Sequence, residues 1–523
     1  MEAKDLFPPS RKNEKANNNS EFADDDAELE SALGDIWDIA IDNHLDPFPT
    51  HFEVAPATMI NQIGAYGIPG RFSHWTFGRQ YRQMKTQYDY GLSKIYELVI
   101  NSNPSQAYLL ENNPPIDNKF VMAHVLGHTD FFKNNRMFEP TRRDMPTAVA
   151  LNASRIHEYE EENGPLAVER ILDAALSLEE HIDPYNANRP SRDEELYRWR
   201  QRAIRRQGRP QYPVGEFDDM IDLEVSAPST DRREKVVVQV PPEPDSDILG
   251  FIRNHAQHLE EWERDVIDIV RSESIYFYPQ RRTKIMNEGW AAYWHKRIMR
   301  EMGDKDLITP AENESWWQLH SSVVAPNPKQ LNPYYLGMKV YEYLEDYYNG
   351  HLTDQENAWL EREGIPVQPN YEGELKDSPA APMLREVMMH DNDQSFIRNH
   401  FNKIVSDRMG MYVYEDRATY NGEVHRFIKS NGWEDVRDQL VDMLDNSGTP
   451  RISVIDADYN MANELYLKHD FDGRMLDPEY IDKTFPHLYS LWRRPVQLAT
   501  FDNKGGPLAY HYNGVKITKD LTH

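Results

Sequence analysis

The chain has 523 residues, no cysteine and a formal net charge of −29 at pH 7. Without cysteine it can form neither disulfides nor thiolate metal sites, so histidine and carboxylate side chains are the strong ligands that remain. The negative charge argues against general nucleic-acid binding, which depends on lysine and arginine neutralising phosphates. No apolar run reaches the roughly 18 residues of a membrane span, and the N-terminus lacks the apolar core of a secretory signal. We therefore expect a cytoplasmic protein.

The first third of the chain predicts a tail followed by helices. Residues 1–28 are polar and rich in Asn, Lys and Asp, which predicts a disordered N-terminal tail. Helical periodicity begins at about residue 29. A long helix is expected from about Tyr81 to Ile100, and another over Asn118–Lys133. Together these segments predict a mainly helical fold.

The middle of the chain has a different composition. Residues 184–246 are first basic and then acidic and proline-rich, which predicts a mobile insertion. Helices are expected again over 248–272 and 282–302. We therefore assign residues 29–378 to one large helical domain that carries this insertion.

The C-terminal part of the chain carries strand patterns. Short apolar runs at 451–456 and 464–467 predict strands. A hairpin is expected from 496–501 and 508–512, joined through Gly505-Gly506. These patterns predict a smaller α+β domain over residues 379–523.

A pair of histidines on one predicted helix indicates a metal site. His124 and His128 are four residues apart, so they differ by only about 40° around a helix and can reach one ion. Glu288, on a later predicted helix, is a candidate third ligand, which would leave a coordination position open. Zinc peptidases with this spacing have Glu after the first His as general base, whereas this chain has Val125. The alternative is a pair of helical histidines that only make hydrogen bonds.

Further candidates lie on two other predicted helices. His255 and His258 are three residues apart, which predicts one helical face and offers a second metal site or partners for the first. His295 is seven residues from Glu288 and shares its face. Because position 125 lacks a base, Glu261 or a neutral histidine such as His295 is the candidate catalytic base. The competing interpretation is a satisfied polar core among packed helices.

Several longer motifs resemble those of the stage V sporulation protein R (SpoVR) family. The similarity runs from about residue 30 to the C-terminus, and its segments occur in order: HLDPFPTHFE at 44–53, GRFSHW at 70–75, MKTQYDYGLSKIYEL at 84–98, HVLGHTDFFKN at 124–134 and NEGWA at 287–291.

The resemblance implies a role in sporulation or the stress response, in a module with an AAA-type serine kinase and a second small protein. The HxxxH and NEGWA segments are also similar to those of thermolysin-like zinc peptidases, which implies a zincin-like centre with Zn²⁺ or another divalent transition metal. In that group the Glu of the later helix, here Glu288, is the third ligand.

Three hypotheses about function follow. The first is a metal-dependent hydrolase of amide or peptide bonds, with a protein or peptide as substrate. The second is a non-catalytic partner or scaffold that acts with the kinase module. The third is an enzyme that forms or transfers amides only in complex with a partner.

Overall fold

The computed structural model describes residues 20–89, 97–186, 240–241, 243–326, 331–418, 424–430 and 432–521. Most of the predicted insertion at 184–246 therefore lies outside the described residues, as does the predicted tail up to residue 19. Residues 20–28, however, belong to a helix rather than to a disordered tail, because the first helix begins at Ser20.

The helices account for most of the described chain, as predicted. In chain order they are α1 (Ser20–Asp42), α2 (Ala57–Tyr66), α3 (Trp75–Asp89), α4 (Pro115–Asn134), α5 (Met145–Asn163), α6 (Pro165–Leu176), α7 (Ile248–His255), α8 (Glu261–Arg282), α9 (Lys284–Asp304), α10 (Pro310–Val323), α11 (Pro333–Tyr348), α12 (Asp354–Arg362), α13 (Ala380–His390), α14 (Asp393–His400), α15 (Lys403–Met409), α16 (Trp433–Leu444) and α17 (Pro478–Trp492).

The strands form three separate sheets. They are β1 (Thr50–Ala55), β2 (Leu98–Ile100), β3 (Ser105–Leu110), β4 (Val413–Ala418), β5 (Val424–Ser430), β6 (Ile452–Tyr459), β7 (Glu464–His469), β8 (Val496–Phe501), β9 (Pro507–Tyr512) and β10 (Ile517–Leu521). The first sheet has the order β1-β3-β2, the second pairs β4 with β5, and the third has the order β10-β9-β8-β7-β6. The predicted hairpin is confirmed, since β8 and β9 pair antiparallel.

The chain divides into two compact units, neither of which is continuous in sequence. The first unit comprises residues 1–158 and 275–449, and the second comprises 159–274 and 450–523. This division differs from the predicted boundary at 378/379. The physical reason is that α13 to α16 bury apolar side chains, including Leu384, Val405 and Leu440, in the same core as α1, α4, α9 and α11.

The second unit combines helices with the five-stranded sheet. Alternate side chains of its strands are buried, among them Leu465 and Leu467 of β7 and Val496 and Leu498 of β8. Helix α17 packs on β8, on β9 and on α6. A smaller unit with an α+β composition is therefore present, although it also includes residues 159–274.

The predicted helix from Tyr81 to Ile100 is wrong at its C-terminal end. Helix α3 ends at Asp89, residues 90–96 lie outside the described chain, and Leu98–Ile100 form β2. The three residues of β2 are apolar, and they pair antiparallel with Gln106–Tyr108 of β3. Pairing with β3 determines the structure of this segment. The spacing of apolar residues along the chain gives no information about that contact.

Small residues let α9 pass unusually close to two other helices. A Cβ atom added to Gly127 of α4 would lie 2.7 Å from the Cα of Ala291 in α9. On another side of α9, a Cβ on Gly289 would lie 2.4 Å from the Cα of Gly337 in α11. Real Cβ atoms do not approach so closely, so only glycine fits at these crossings. The small side chain of Ala291 leaves room for α4 at the first of these crossings.

A buried carboxylate ties the same helices together. Asp130 of α4 is fully buried and accepts hydrogen bonds from Trp290 Nε1 of α9, Arg385 Nη1 of α13 and the backbone N–H of Asp46, each at 2.8 Å. Because charge-assisted bonds of this kind are strong when desolvated, Asp130 fixes how α4 and α9 face each other. None of the described helices is both long and apolar enough to cross a bilayer.

Candidate metal centre

Two helices of the first unit place three of the predicted ligands side by side. His124 and His128 lie on α4, one turn apart, and their rings are 4.6 Å apart and perpendicular. Glu288 lies on α9, directly before the glycine that contacts α11. Its Oε2 atom is 3.4 Å from His128 Nε2 and 3.8 Å from His124 Nε2. The predicted His-His-Glu set is therefore assembled.

A fourth side chain, Glu97, joins the group from the residue that precedes β2. Its Oε1 atom lies 3.8 Å from His124 Nε2. One ligand atom from each of Glu97, His124, His128 and Glu288 falls within 4.8 Å of all the others, so the four could hold a metal ion. The two imidazoles are buried, while the side chains of Glu97 and Glu288 are 21% and 17% exposed. An ion and its solvent can therefore reach the cluster from the carboxylate side.

The distances between the ligand atoms of the cluster suit a shared metal ion better than hydrogen bonds between these atoms. His124 Nε2 and Glu288 Oε2 are buried and have no hydrogen-bond partner. Their separation of 3.8 Å is too long for a hydrogen bond. Two ligands of a tetrahedral ion with bonds of about 2.1 Å lie about 3.4 Å apart, which is close to the distances found here. Nitrogen and carboxylate oxygen together suit zinc and the other divalent transition metals.

Each histidine uses its other ring nitrogen to make a hydrogen bond. His128 Nδ1 lies 2.9 Å from Asn287 Oδ1, so an Nδ1–H donor leaves the Nε2 lone pair facing the cluster. His124 Nδ1 lies 2.7 Å from Nδ1 of His295 on α9. His295 Nε2 in turn lies 2.7 Å from Nδ1 of His320 on α10. Three imidazoles thus form a chain that starts at the cluster.

Burial lowers the pKa of three of these histidines, His128, His295 and His320, and so favours their neutral form. It lowers the pKa of His128, and the neighbouring His124 lowers it further. The pKa of His295 is well below its usual range for the same two reasons. For His320, burial followed by the charge of Lys296 lowers the pKa to about 4. Neutral imidazole is the form that binds metals.

Glu288 stays ionised despite its burial. Desolvation alone would raise its pKa, but the adjacent imidazoles of His124 and His128 lower it overall. Tyr334, on α11, donates its hydroxyl to Glu97 Oε1 at 3.0 Å, and its ring stacks on His124 at 5.9 Å. Burial, together with the charges of Glu97 and Glu288, raises the pKa of Tyr334 well above its usual value. The site thus has two carboxylates and one phenolic donor.

The structure does not bring the remaining predicted residues into this cluster. His255, His258 and Glu261 belong to the second unit, whereas all four clustered residues belong to the first. The prediction that His255 and His258 share a helical face is wrong, because α7 ends at His255. The side chain of Glu261 is 98% exposed at the start of α8. His295 lies next to the cluster, but both of its ring nitrogens face other imidazoles.

Sequence reasoning missed three residues of the site: Glu97, His320 and Tyr334. Glu97 lies in the segment 84–98 that carries the family resemblance, which was the one available signal for it. His320 and Tyr334 come from helices that no metal-site motif marks. Their roles depend on how α10 and α11 pack on α9, which the order of residues does not reveal.

Comparisons with known proteins cover nearly the whole chain and agree with the predicted resemblance to the SpoVR family. Residues 24–449 match the model of the SpoVR-like protein family, and residues 450–503 match the SpoVR-like C-terminal domain. The chain is also 28% identical over 494 residues to the uncharacterized protein YcgB of Escherichia coli (strain K12), covering 91% of this chain and 92% of that protein. No solved structure matches the chain. The chain belongs to the SpoVR family.

Proposed function

We propose that this chain is a metal-dependent hydrolase of amide or peptide bonds. His124, His128 and Glu288 would bind zinc or another divalent transition metal in a zincin-like arrangement. The observation that supports this proposal is the pair of buried, unpartnered ligand atoms, His124 Nε2 and Glu288 Oε2, which face each other across the cluster. The ion would polarise the carbonyl group of the substrate and lower the pKa of a bound water.

Glu97 is the general base in this proposal. The position of the usual base holds Val125, which is fully buried in the apolar core and offers no proton acceptor. Glu97 approaches the same histidines from another element, and its side chain is the most exposed of the four. The Tyr334 hydroxyl holds Glu97 Oε1, which leaves the second carboxylate oxygen to take a proton from water.

Paired amide variants separate the two carboxylate roles. Glu97→Gln and Glu288→Gln are each loaded with Zn²⁺ and incubated with a defined peptide mixture, and cleavage is followed by mass spectrometry. We expect Glu288→Gln to lose the metal, because an amide is a poor ligand. Glu97→Gln should keep the metal and lose at least about 100-fold in cleavage rate, the scale of general base catalysis. Cleavage at the wild-type rate by Glu97→Gln would contradict the assignment of the base.

A second candidate function is suggested by the β4–β5 ribbon. Three of its large apolar side chains are exposed: Tyr414 (47%), Phe427 (45%) and Ile428 (55%). Tyr414 pairs with Ile428 across the two strands, so these two side chains share one face of the ribbon, while Phe427 lies on the other face. Neighbouring exposed apolar side chains of this kind can mark a protein-binding surface. We propose the AAA-type serine kinase as the partner. Binding of the purified kinase to the wild type, and its loss in a Tyr414→Ser/Ile428→Ser variant that keeps its metal, would support this role.

A further inference from the structure

The imidazole chain begins at a proposed metal ligand and ends one helix away. Its links are His124 Nδ1 to His295 Nδ1 and His295 Nε2 to His320 Nδ1, both 2.7 Å long. The three side chains are 2%, 0% and 5% exposed. Water therefore has little access to the links, and each imidazole depends on the next for its hydrogen bond.

Neutral imidazole has one N–H and one lone pair, so the chain has two possible directions. In the first, His124 carries its proton on Nδ1 and donates to His295, which carries its own on Nε2 and donates to His320. His124 Nε2 then presents a lone pair to the cluster. In the opposite direction every proton moves to the other nitrogen, and His124 Nε2–H faces the carboxylates of Glu97 and Glu288, where it blocks an ion.

We propose that His295 and His320 are positioning residues that select the metal-binding tautomer of His124. A bound ion needs the lone pair of His124 Nε2 and so requires the first direction, in which His320 Nδ1 accepts the buried Nε2–H of His295. Helix α10 thereby takes part in the metal site without supplying a ligand. This inference rests on the proposed metal site, and it adds residues that the family motifs do not contain.

Removing the acceptor should reverse the chain. In His320→Leu the Nε2–H of His295 would have no partner, and an unsatisfied buried donor is costly. His295 would then keep its proton on Nδ1 and donate to His124, which would carry its own on Nε2. In His320→Asn the amide oxygen occupies the place of Nδ1 and restores the acceptor. Both replacements branch at Cγ and so have a similar shape, and the main chemical difference between them is the hydrogen bond to His295.

The test is the affinity for Co²⁺, measured by competition with a chelator. We expect His320→Leu to bind Co²⁺ about 10–100-fold more weakly than the wild type, as is usual for the loss of such a partner. His320→Asn should stay within about 3-fold. Equal affinity in the wild type and His320→Leu, or an equal loss in both variants, would overturn the proposal. A wild type that binds no Co²⁺ would instead refute the metal site itself.

A measurement on the unaltered protein keeps the proposal testable if His320→Leu does not fold. Long-range ¹H–¹⁵N correlations report which nitrogen of each histidine carries the proton. In the Zn²⁺-loaded wild type we expect the proton of His295 on Nε2 and that of His320 also on Nε2. A proton on His295 Nδ1 in the loaded protein would overturn the proposal.

Discussion

Position 125 holds valine, where zinc peptidases with the same histidine spacing have glutamate. Val125 points into the apolar core, so the helix that carries both histidines supplies no base. A carboxylate from another element, that of Glu97 before β2, joins the cluster. In this protein the ligands and the proposed base therefore come from separate elements, and the base can be changed without altering the HxxxH helix.

Protonation of the histidine chain should destabilise the protein in acid. The pKa of His320 is lowered to about 4 by burial, compared with about 6.5 in the unfolded chain. Its contribution to stability is therefore fully present above pH 6.5 and is lost as the pH falls towards 4. For His320 alone we expect a loss of up to about 3 kcal/mol in the free energy of unfolding.

Urea unfolding of the metal-free protein between pH 7.5 and pH 4.5 measures this effect. His320→Asn serves as the control, since it keeps the hydrogen bond to His295 and cannot be protonated. We expect a shallower pH dependence for this variant than for the wild type. Parallel curves for the two proteins would show that His320 does not contribute to the acid sensitivity.

Some residues of the candidate metal centre could be predicted from the sequence, and others could not. His124, His128 and Glu288 could be predicted because two lie at helical spacing and the third belongs to a short motif. No spacing pattern indicates Glu97 or His320, because neither has a neighbour in sequence that belongs to the site, and only the family resemblance of 84–98 points to Glu97. Only the packing of β2 and α10 places them there.

At the scale of elements, the glycine at the α4–α9 crossing should be indispensable. In Gly127→Ala the new methyl group would collide with the backbone of Ala291 and force the helices apart. We expect a loss of about 1–3 kcal/mol or more in the free energy of unfolding, as for overpacked cores. The separation of Glu288 from the histidines should also weaken metal binding.

Gly78→Ala is a matched control for that substitution. Gly78 also lies within a helix, α3, but a Cβ atom there would meet nothing within 4 Å. Because alanine favours helices over glycine, we expect a gain of about 0.5–1 kcal/mol. Chemical denaturation of both variants measures these changes in the free energy of unfolding. Equal changes in Gly127→Ala and Gly78→Ala would contradict a close approach of α4 and α9 at Gly127.

Helix boundaries show why the second histidine pair was assigned incorrectly. The helical spacing of apolar residues predicts that the helix continues past His255. The helix α7 nevertheless ends there, although no glycine or proline follows it closely. Its final carbonyl groups are capped from another helix, since Arg264 of α8 donates to the backbone oxygens of Arg253 and Ala256. This contact forms only in the folded chain. His258 is consequently exposed in the turn between the two helices.

At the scale of the whole molecule, the helical character and the C-terminal strands could be predicted, but the division into units could not. Asp245 pairs with Val454 of β6, so the sheet of residues 450–523 is bound to residues far earlier in the chain. Arg493 pairs with Glu263, which is 3% exposed. Composition changes along the chain mark neither contact, because both join segments about 200 residues apart.

The central claim is that the first unit holds a metal ion through His124, His128 and Glu288. The most direct measurement is elemental analysis of the purified wild type beside His128→Ala, Glu288→Ala and His258→Ala after loading with zinc and removal of excess. We predict about one equivalent in the wild type and in His258→Ala, and almost none in the other two. Equal metal content in all four proteins, or none in any, would contradict the account.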